Sequence, residues 1–322
     1  MKRLVFAAAV AALAVGVASG PASADFPERP ITMIVPWAAG GGTDAVARML
    51  ASRMEETLGQ PINVVNRTGA GGVVGHTAMT EAAPDGYTIG LATAEITTYD
   101  HMGTSEITHE DLTPIALVNF DASAFNVNAD SEWDDVNEAL EAIRQSPGEY
   151  KMSGMPVGAA YHLAFAAMLG EHGIDPKAVP VVPSQGAAPG FQELAAGGVA
   201  IVPSSLPEAE SMRQAGRVKT LAVLADERLE AYPDVPTIAE ATGTASAGGT
   251  WRGIVGPAGL PDDVRATLAE ALEAAWQSEE FQTFMKERGF GTRWLPADEF
   301  GAFMADAYAI NGEVIGRLGL AQ

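Results

Sequence analysis

Two glycine-rich segments hold the residues best placed to do chemistry, and the chemistry they suit is the holding of an anion. The first, Ile31-Thr-Met-Ile-Val-Pro-Trp-Ala-Ala-Gly-Gly-Gly-Thr-Asp44, runs from an apolar β-branched stretch through three glycines into a helical pattern. A strand that empties through glycines into a helix leaves several backbone N–H groups unpaired and aimed at one place. The helix dipole favours negative charge there. Thr43 or Asp44 is expected to cap the helix. The second segment, Asn66-Arg-Thr-Gly-Ala-Gly-Gly-Val-Val-Gly75, repeats the arrangement. Neighbouring parallel strands would set both helix N-termini outside the carboxyl ends of the strands, where open α/β sheets take ligands. Neither is a nucleotide loop. A Gly-x-Gly-x-x-Gly pattern begun at Gly69 meets Val74 at its third glycine, and the lysine of a phosphate loop is missing.

Three further loops offer backbone donors and small side chains. Gly154-Met-Pro-Val-Gly-Ala-Ala-Tyr-His162 and Pro183-Ser-Gln-Gly-Ala-Ala188 each lie between a strand pattern and a helix pattern, and Pro203-Ser-Ser205 carries two hydroxyls. If two domains face one another, these loops line a cleft. No nucleophile and base stand together. Val182-Pro-Ser-Gln-Gly186 lacks the first glycine of a nucleophile elbow. His76, His101, His109, His162 and His172 lack metal-ligand spacing, and the absence of cysteine removes thiolate ligands. No metal, no cofactor and no enzymatic activity are expected. His162 has two readings open to it, a ligand contact and a structural helix start.

The elements that must position these loops alternate along the chain. Strand patterns at Ile31–Val35, Ile62–Val65, Tyr87–Ala92, Pro114–Asn119 and Ala124–Asn128 are interleaved with helices at Thr43–Leu58 and Val73–Ala83. A second series follows: helix Asp134–Gln145, strand Glu149–Ser153, helix Ala160–Gly170, strand Val179–Val182, helix Ala187–Ala196, strand Val199–Val202, helix Pro207–Gln214 and strand Val218–Leu224. Thr242–Thr250 reads as a loop, Trp251–Val255 as a strand, and Pro261–Trp276, Glu279–Arg288 and Ala297–Leu318 as helices. The alternation predicts an α/β chain of two Rossmann-like lobes, each a parallel sheet with helices on both faces. One lobe is expected from 25–124 together with 249–322, the other from 125–248, joined by crossing strands.

Residues 1–24 read as a cleaved secretory leader: Lys2 and Arg3, an apolar run Leu4–Val17, and the small-residue site Ala22-Ser-Ala24. The apolar run is short of the roughly 20 residues of a membrane span, and without cysteine no lipid can be attached at the cut. The expected product is exported to the periplasm, without membrane insertion. Loss of Lys2 and Arg3 takes the formal charge from −22 to −24. Such a chain does not bind nucleic acid through its overall field. It can still hold an anionic ligand, because distant surface carboxylates are screened over about 8–10 Å.

Several segments in order resemble one family. They are Phe26-Pro-Glu-Arg-Pro-Ile31, the stretch from Ile34 to Gly42, Leu58-Gly-Gln60, Asn66 to Gly72 and Pro84-Asp-Gly-Tyr87, followed by His162-Leu-Ala164, Gly186-Ala-Ala-Pro189, Tyr232-Pro-Asp-Val-Pro-Thr237 and Gly256-Pro-Ala-Gly-Leu-Pro261. The family is the tripartite tricarboxylate transporter substrate-binding proteins, or Bug receptors. The resemblance covers essentially the whole exported chain. It implies a class II periplasmic binding protein, ordinarily a monomer, that closes on a small carboxylate and delivers it to a membrane permease.

It also implies that one ligand carboxylate is held by the segments from Ala39 through Gly40, Gly41 and Gly42 to Thr43 and Asp44, and from Gly71 through Gly72 to Val73. Ala94 and the loops around Ala159, Ala160, Gly186 and Ala187 would meet the rest of the ligand. The sequence departs from the family's pattern at ligand-facing places. Ala200 replaces a frequent Asp, which argues against an amino-acid ligand. Trp37 replaces a usual Phe, as a ligand wall or as a larger core residue. Ala159 and Ala160 lack the common hydroxyls, which Ser204 and Ser205 could supply. Arg252 could fork onto a second carboxylate, or form a structural ion pair. A sensory receptor for a membrane kinase and an exported hydrolase or isomerase are the competing functions.

Overall fold

The computed structural model describes residues 26–321; the predicted leader lies outside them. The chain folds, in order, as β1 (Ile31–Val35), α1 (Gly42–Leu58), β2 (Ile62–Asn66), α2 (Val73–Thr80), β3 (Thr88–Thr93), β4 (Leu112–Ala122), β5 (Ala124–Asn128), α3 (Val136–Gln145), α4 (Ala160–Glu171) and α5 (Ala187–Ala195). Then come β6 (Ile201–Val202), α6 (Leu206–Gln214), β7 (Val218–Val223), α7 (Ile238–Thr242), β8 (Gly249–Pro257), α8 (Asp262–Gln277), α9 (Glu279–Arg288), β9 (Thr292–Pro296) and α10 (Ala297–Arg317).

The first sheet has the order β2-β1-β3-β8-β4-β9. Side chains on a strand alternate between faces, and β1 illustrates the sorting. Ile31, Met33 and Val35 bury themselves with Leu50 and Met54 of α1, Leu268 and Leu272 of α8, and Phe281 of α9. Ile34 points the other way, into a second layer with Met79 of α2, Trp251, and Phe300 and Met304 of α10. The sheet is therefore covered on both faces. The second sheet has the order β6-β5-β7. Its core gathers Phe125, Phe165, Leu169 and Ile201 with the apolar face of α3 (Val136, Ala139, Leu140, Ile143).

The first sheet is mixed and the second antiparallel, which corrects the expectation of parallel ones. Only β1 pairs in parallel, with β2 and β3; β8 is antiparallel to β3 and β4, and β9 to β4. The cause lies in the connections. A parallel pair needs a crossover helix, whereas β4 and β8 carry the chain between lobes in opposite directions. In the second sheet β5 is antiparallel to both neighbours. Two expected strands, Glu149–Ser153 and Val179–Val182, shrink to single bridges in which Met152 pairs with Val181 and Ile201. Pro180 and Pro183 lack the N–H donors that a longer ladder would need. The helix at Ile238–Thr242 and the edge strand Thr292–Pro296 carried no clear period in the sequence.

The two crossings lie side by side. Ser123 N–H donates to the Gly248 carbonyl at 2.8 Å, Gly248 N–H to the Leu224 carbonyl at 3.1 Å, and Leu224 N–H to the Ser123 carbonyl at 2.8 Å. A Cβ at Gly249 would collide with the Asp121 carbonyl oxygen, so only glycine lets the strands approach this closely. Gly249→Ala is expected to lower stability by about 1–3 kcal/mol through overpacking. Gly316→Ala, in a helix with open space around it, should leave stability unchanged or raise it. Urea unfolding of the two variants checks this, and equal stability of the two would contradict it.

Candidate ligand-binding cleft

The first glycine segment builds an uncapped helix N-terminus. Gly40 turns the chain at φ +83°, Gly41 is the N-cap without a capping side chain, and α1 begins at Gly42. This corrects the expected cap at Thr43 or Asp44, both of which stand in the first turn. Asp44 folds back instead. Its carboxylate accepts from Gly40 N–H at 2.9 Å, Arg48 Nε at 3.0 Å and Asn66 Nδ2 at 2.9 Å. Burial alone would raise its pKa, but Arg48, Gly40 and Asn66 together hold it below the usual value. Asp44 thus ties the loop to β2 and leaves the helix end to other partners.

The second segment is ordered from beneath. Gly71 and Gly72 take positive φ, +67° and +95°. The buried imidazole of His76 lies under them. Thr93 N–H donates to its Nε2 at 3.2 Å, so Nδ1 carries the proton. That Nδ1 stands 3.0 Å from the Gly72 carbonyl and 2.9 Å from the Tyr99 hydroxyl, and Tyr99 donates to the Gly71 carbonyl at 3.2 Å. Burial lowers the His76 pKa to about 4, so the ring is neutral. Trp37 rests against Gly72, where an added Cβ would meet its ring at 3.3 Å, and donates from Nε1 to Thr93 Oγ1 at 3.0 Å.

Between the lobes lies a small cavity of about 40 Å³, room for a water molecule or two and well short of the roughly 300–1,000 Å³ of a small-ligand site. Arg252 of β8 forms one wall and is almost fully buried. Its Nε donates to Thr43 Oγ1 at 3.0 Å, one terminal nitrogen donates to Asn119 and Asp121, and the other to Glu208 Oε1 at 3.1 Å. Burial opposes the charge on Arg252, but Asp121 and Glu208 outweigh it and hold the group above its ordinary pKa. Glu208 of α6 also accepts from Gly42 N–H at 3.1 Å, Tyr161 Oη at 2.8 Å, Ser204 Oγ at 2.5 Å and Ser205 Oγ at 3.3 Å. Glu95, buried after β3, accepts from Ala160 N–H at 3.1 Å and from Thr93 Oγ1, and burial raises its pKa.

The uncapped N-termini of α1 and α4 are therefore each met by a carboxylate from the opposite lobe. Ala38 N–H reaches across as well, to the Gln185 carbonyl at 3.2 Å. Electrostatically the cleft is two-sided, with one guanidinium and two helix ends facing Glu95, Asp121 and Glu208.

Of the residues singled out from the sequence, Trp37, Gly41, Gly42, Thr43, Gly186, Ala187 and Arg252 line the cavity. Ala39 and Gly40 sit outward on the turn. Gly71 abuts Pro156 of the other lobe, and Gly72 lies behind Trp37, so these two and Val73 stand apart from the cavity. Ala94 is buried in the short helical turn after β3. Ala159 is the N-cap of α4, and Ala160 offers its N–H to Glu95. His162 is buried and accepts from Gly158 N–H at 2.9 Å; burial takes its pKa to about 4. Ser204 is spent on Glu208. Glu95, Glu208, Thr93 and Tyr161 line the cavity without having been singled out. For Glu208 a signal existed but pointed elsewhere. Ser205-Leu-Pro-Glu208 reads as a capping box, yet Ser205 makes no cap bond to its helix and the carboxylate turns into the cleft.

Residues 46–320 match the family model of the tripartite tricarboxylate transporter family receptor. The chain belongs to that family. It is 32% identical to a UPF0065 protein of Bordetella pertussis over 97% of this chain and 96% of the relative. Among solved structures it is similar to the periplasmic binding protein BugD (29% identity, TM-score 0.83, 92% of this chain, 99% of that one). It is also similar to a Rhodopseudomonas palustris protein solved with adipate (26%, 0.85, 92% and 99%) and to MatC of the same organism with bound malate (26%, 0.80, 90% and 100%). The α/β fold of this receptor is thus that of the periplasmic binding proteins.

The two buried histidines make stability depend on pH with a definite sign. His76 and His162 are neutral when folded, with pKa about 4 against 6.5 when exposed. Between those values the unfolded chain binds more protons, so stability falls as pH is lowered from 6.5. Each histidine contributes about 1.4 kcal/mol per pH unit at full effect. Urea unfolding of His76→Gln between pH 6.5 and 5 should show a slope smaller by up to one proton. A slope equal to that of the parent would contradict the assignment.

Proposed function

We propose that this receptor is exported to the periplasm by its first 24 residues, captures a small di- or tricarboxylate between its lobes, and presents it to the permease subunits of a tripartite transporter. The observation that carries the reading is the uncapped α1 N-terminus beside Arg252 in the cleft between the lobes. Backbone donors and a guanidinium fixed by the fold suit a carboxylate, and charge-assisted hydrogen bonds are roughly twice as strong as neutral ones. The adipate- and malate-bound structures of similar proteins support the same ligand class. In this reading the cleft binds without reacting: of the hydroxyls that line it, Tyr161 donates to Glu208 and Thr93 to Glu95, and Thr43 accepts from Arg252. Arg252 has a double part in this reading. Its ion pairs hold the wall together, and the same guanidinium faces the ligand.

Lobe closure follows from differential contact. A ligand touching both lobes stabilises the form in which both are near. The lobes correspond to 25–124 with 249–322 and to 125–248, hinged at the paired crossings, and the unit of function is a monomer.

Thermal-shift screening of ligand-stripped protein against mono-, di- and tricarboxylates tests the reading. A hundredfold excess over Kd stabilises by about 2.7 kcal/mol, so at least one di- or tricarboxylate should raise the Tm by about 5 °C or more. Failure of every member at millimolar concentration would refute carboxylate capture. Turnover of a bound ligand would refute the receptor role.

A further inference from the structure

Glu208 occupies the place that a ligand carboxylate should take. It is the acceptor of Gly42 N–H at the α1 N-terminus and of the Arg252 nitrogen that faces the cleft. These are the two donors that make this end of the cavity an anion site. The carboxylate comes from the opposite lobe, so in this closed form the protein fills its own site. The fit is close: a Cβ at Gly42 would lie 2.6 Å from Glu208 Oε1 and 2.9 Å from the Arg252 nitrogen. Glu208 also forgoes the capping role that Ser205 offers locally, and accepts instead from Tyr161, Ser204 and Ser205 on its own lobe. Five donors from two lobes converge on one carboxylate.

Gly42 N–H has a single proton, so two carboxylates cannot both take it. Like charges in a poorly solvated cavity repel, and Asp121 and Glu95 already stand nearby. Entry of a ligand anion at this helix end therefore requires Glu208 to leave. We propose that Glu208 is an internal competitor that determines specificity: the ligand binds by exchange with it, one carboxylate for another at Gly42 and Arg252. The proposal rests on the reading of the cleft as a carboxylate site and deepens it. The exchange selects anions that can satisfy both donors together, and uncharged analogues such as amides cannot displace a bound carboxylate. It also keeps the ligand-free lobes together, since the contacts of Glu208 with Gly42 and Arg252 join them.

The test compares the parent with Glu208→Gln and Ser204→Ala. The second variant keeps the charge and removes one donor that holds the carboxylate in place; Ser204 itself is not part of the cavity lining. Calorimetric titration uses the di- or tricarboxylate that gives the largest shift in the screen. Glu208→Gln should bind it at least tenfold more tightly, and Ser204→Ala a few-fold more tightly. Equal or weaker binding by a folded Glu208→Gln overturns the proposal. Should that variant fail to fold, Ser204→Ala decides by the same rule. If no carboxylate binds any form, the receptor reading has failed and the exchange with it, and small-angle scattering of ligand-free protein then tests the remaining part, that Glu208 holds the lobes together. A larger radius of gyration for Glu208→Gln, or for Ser204→Ala if only that variant folds, supports it. A radius equal to that of the parent overturns it.

Discussion

A single helix end without a cap governs the architecture of the cleft. Gly42 N–H, at the start of α1, has no acceptor within its own helix and takes one from the opposite lobe. An unsatisfied buried donor costs roughly 1–3 kcal/mol, so the partner must arrive whenever the lobes close and water leaves. In this structure Glu208 is that partner. Glu95 does the same for α4, whose N-cap Ala159 is equally bare. The lobes exchange carboxylates for helix ends in both directions.

The remaining structure holds these donors in position. Asp44 ties the β1–α1 turn to β2, neutral His76 orders the second glycine loop, and Trp37 separates that loop from the cavity. Arg252 is braced by Asp121 and Asn119 of β4, its neighbour in the sheet. A guanidinium held this way on a strand is a stiffer partner than one on a loop. Removing one member of a buried pair is costly, by about 3–5 kcal/mol, so the ion pairs of Arg252 with Asp121 and Glu208 serve stability. The crossings near Ser123 and Gly248 then set how the two rigid parts meet.

Much of this was legible in the chain. The β-branched run ending in three glycines located β1 and the start of α1 within a residue, and period-four apolar positions located the face of α1 that meets the core. What escaped was strand direction and long-range pairing. Periodicity is blind to whether a strand runs up or down, and β4 and β8 read alike in either sense. The cleft was half legible. Backbone donors announce themselves through glycine, but Glu208 and Glu95 are ordinary acidic residues among 41. Only the folded chain brings Glu208 to Gly42, 166 positions away. Arg252 drew notice through its unusual place on a strand, and its partners at Asp121 and Glu208 could not be named from spacing.

The most direct measurement is a crystal structure of the receptor with its carboxylate bound. A ligand oxygen should lie about 3 Å from Gly42 N and within reach of Arg252, with the Glu208 side chain withdrawn from both. A ligand seated elsewhere in the cleft, with Glu208 still accepting from Gly42 and Arg252, would contradict the account.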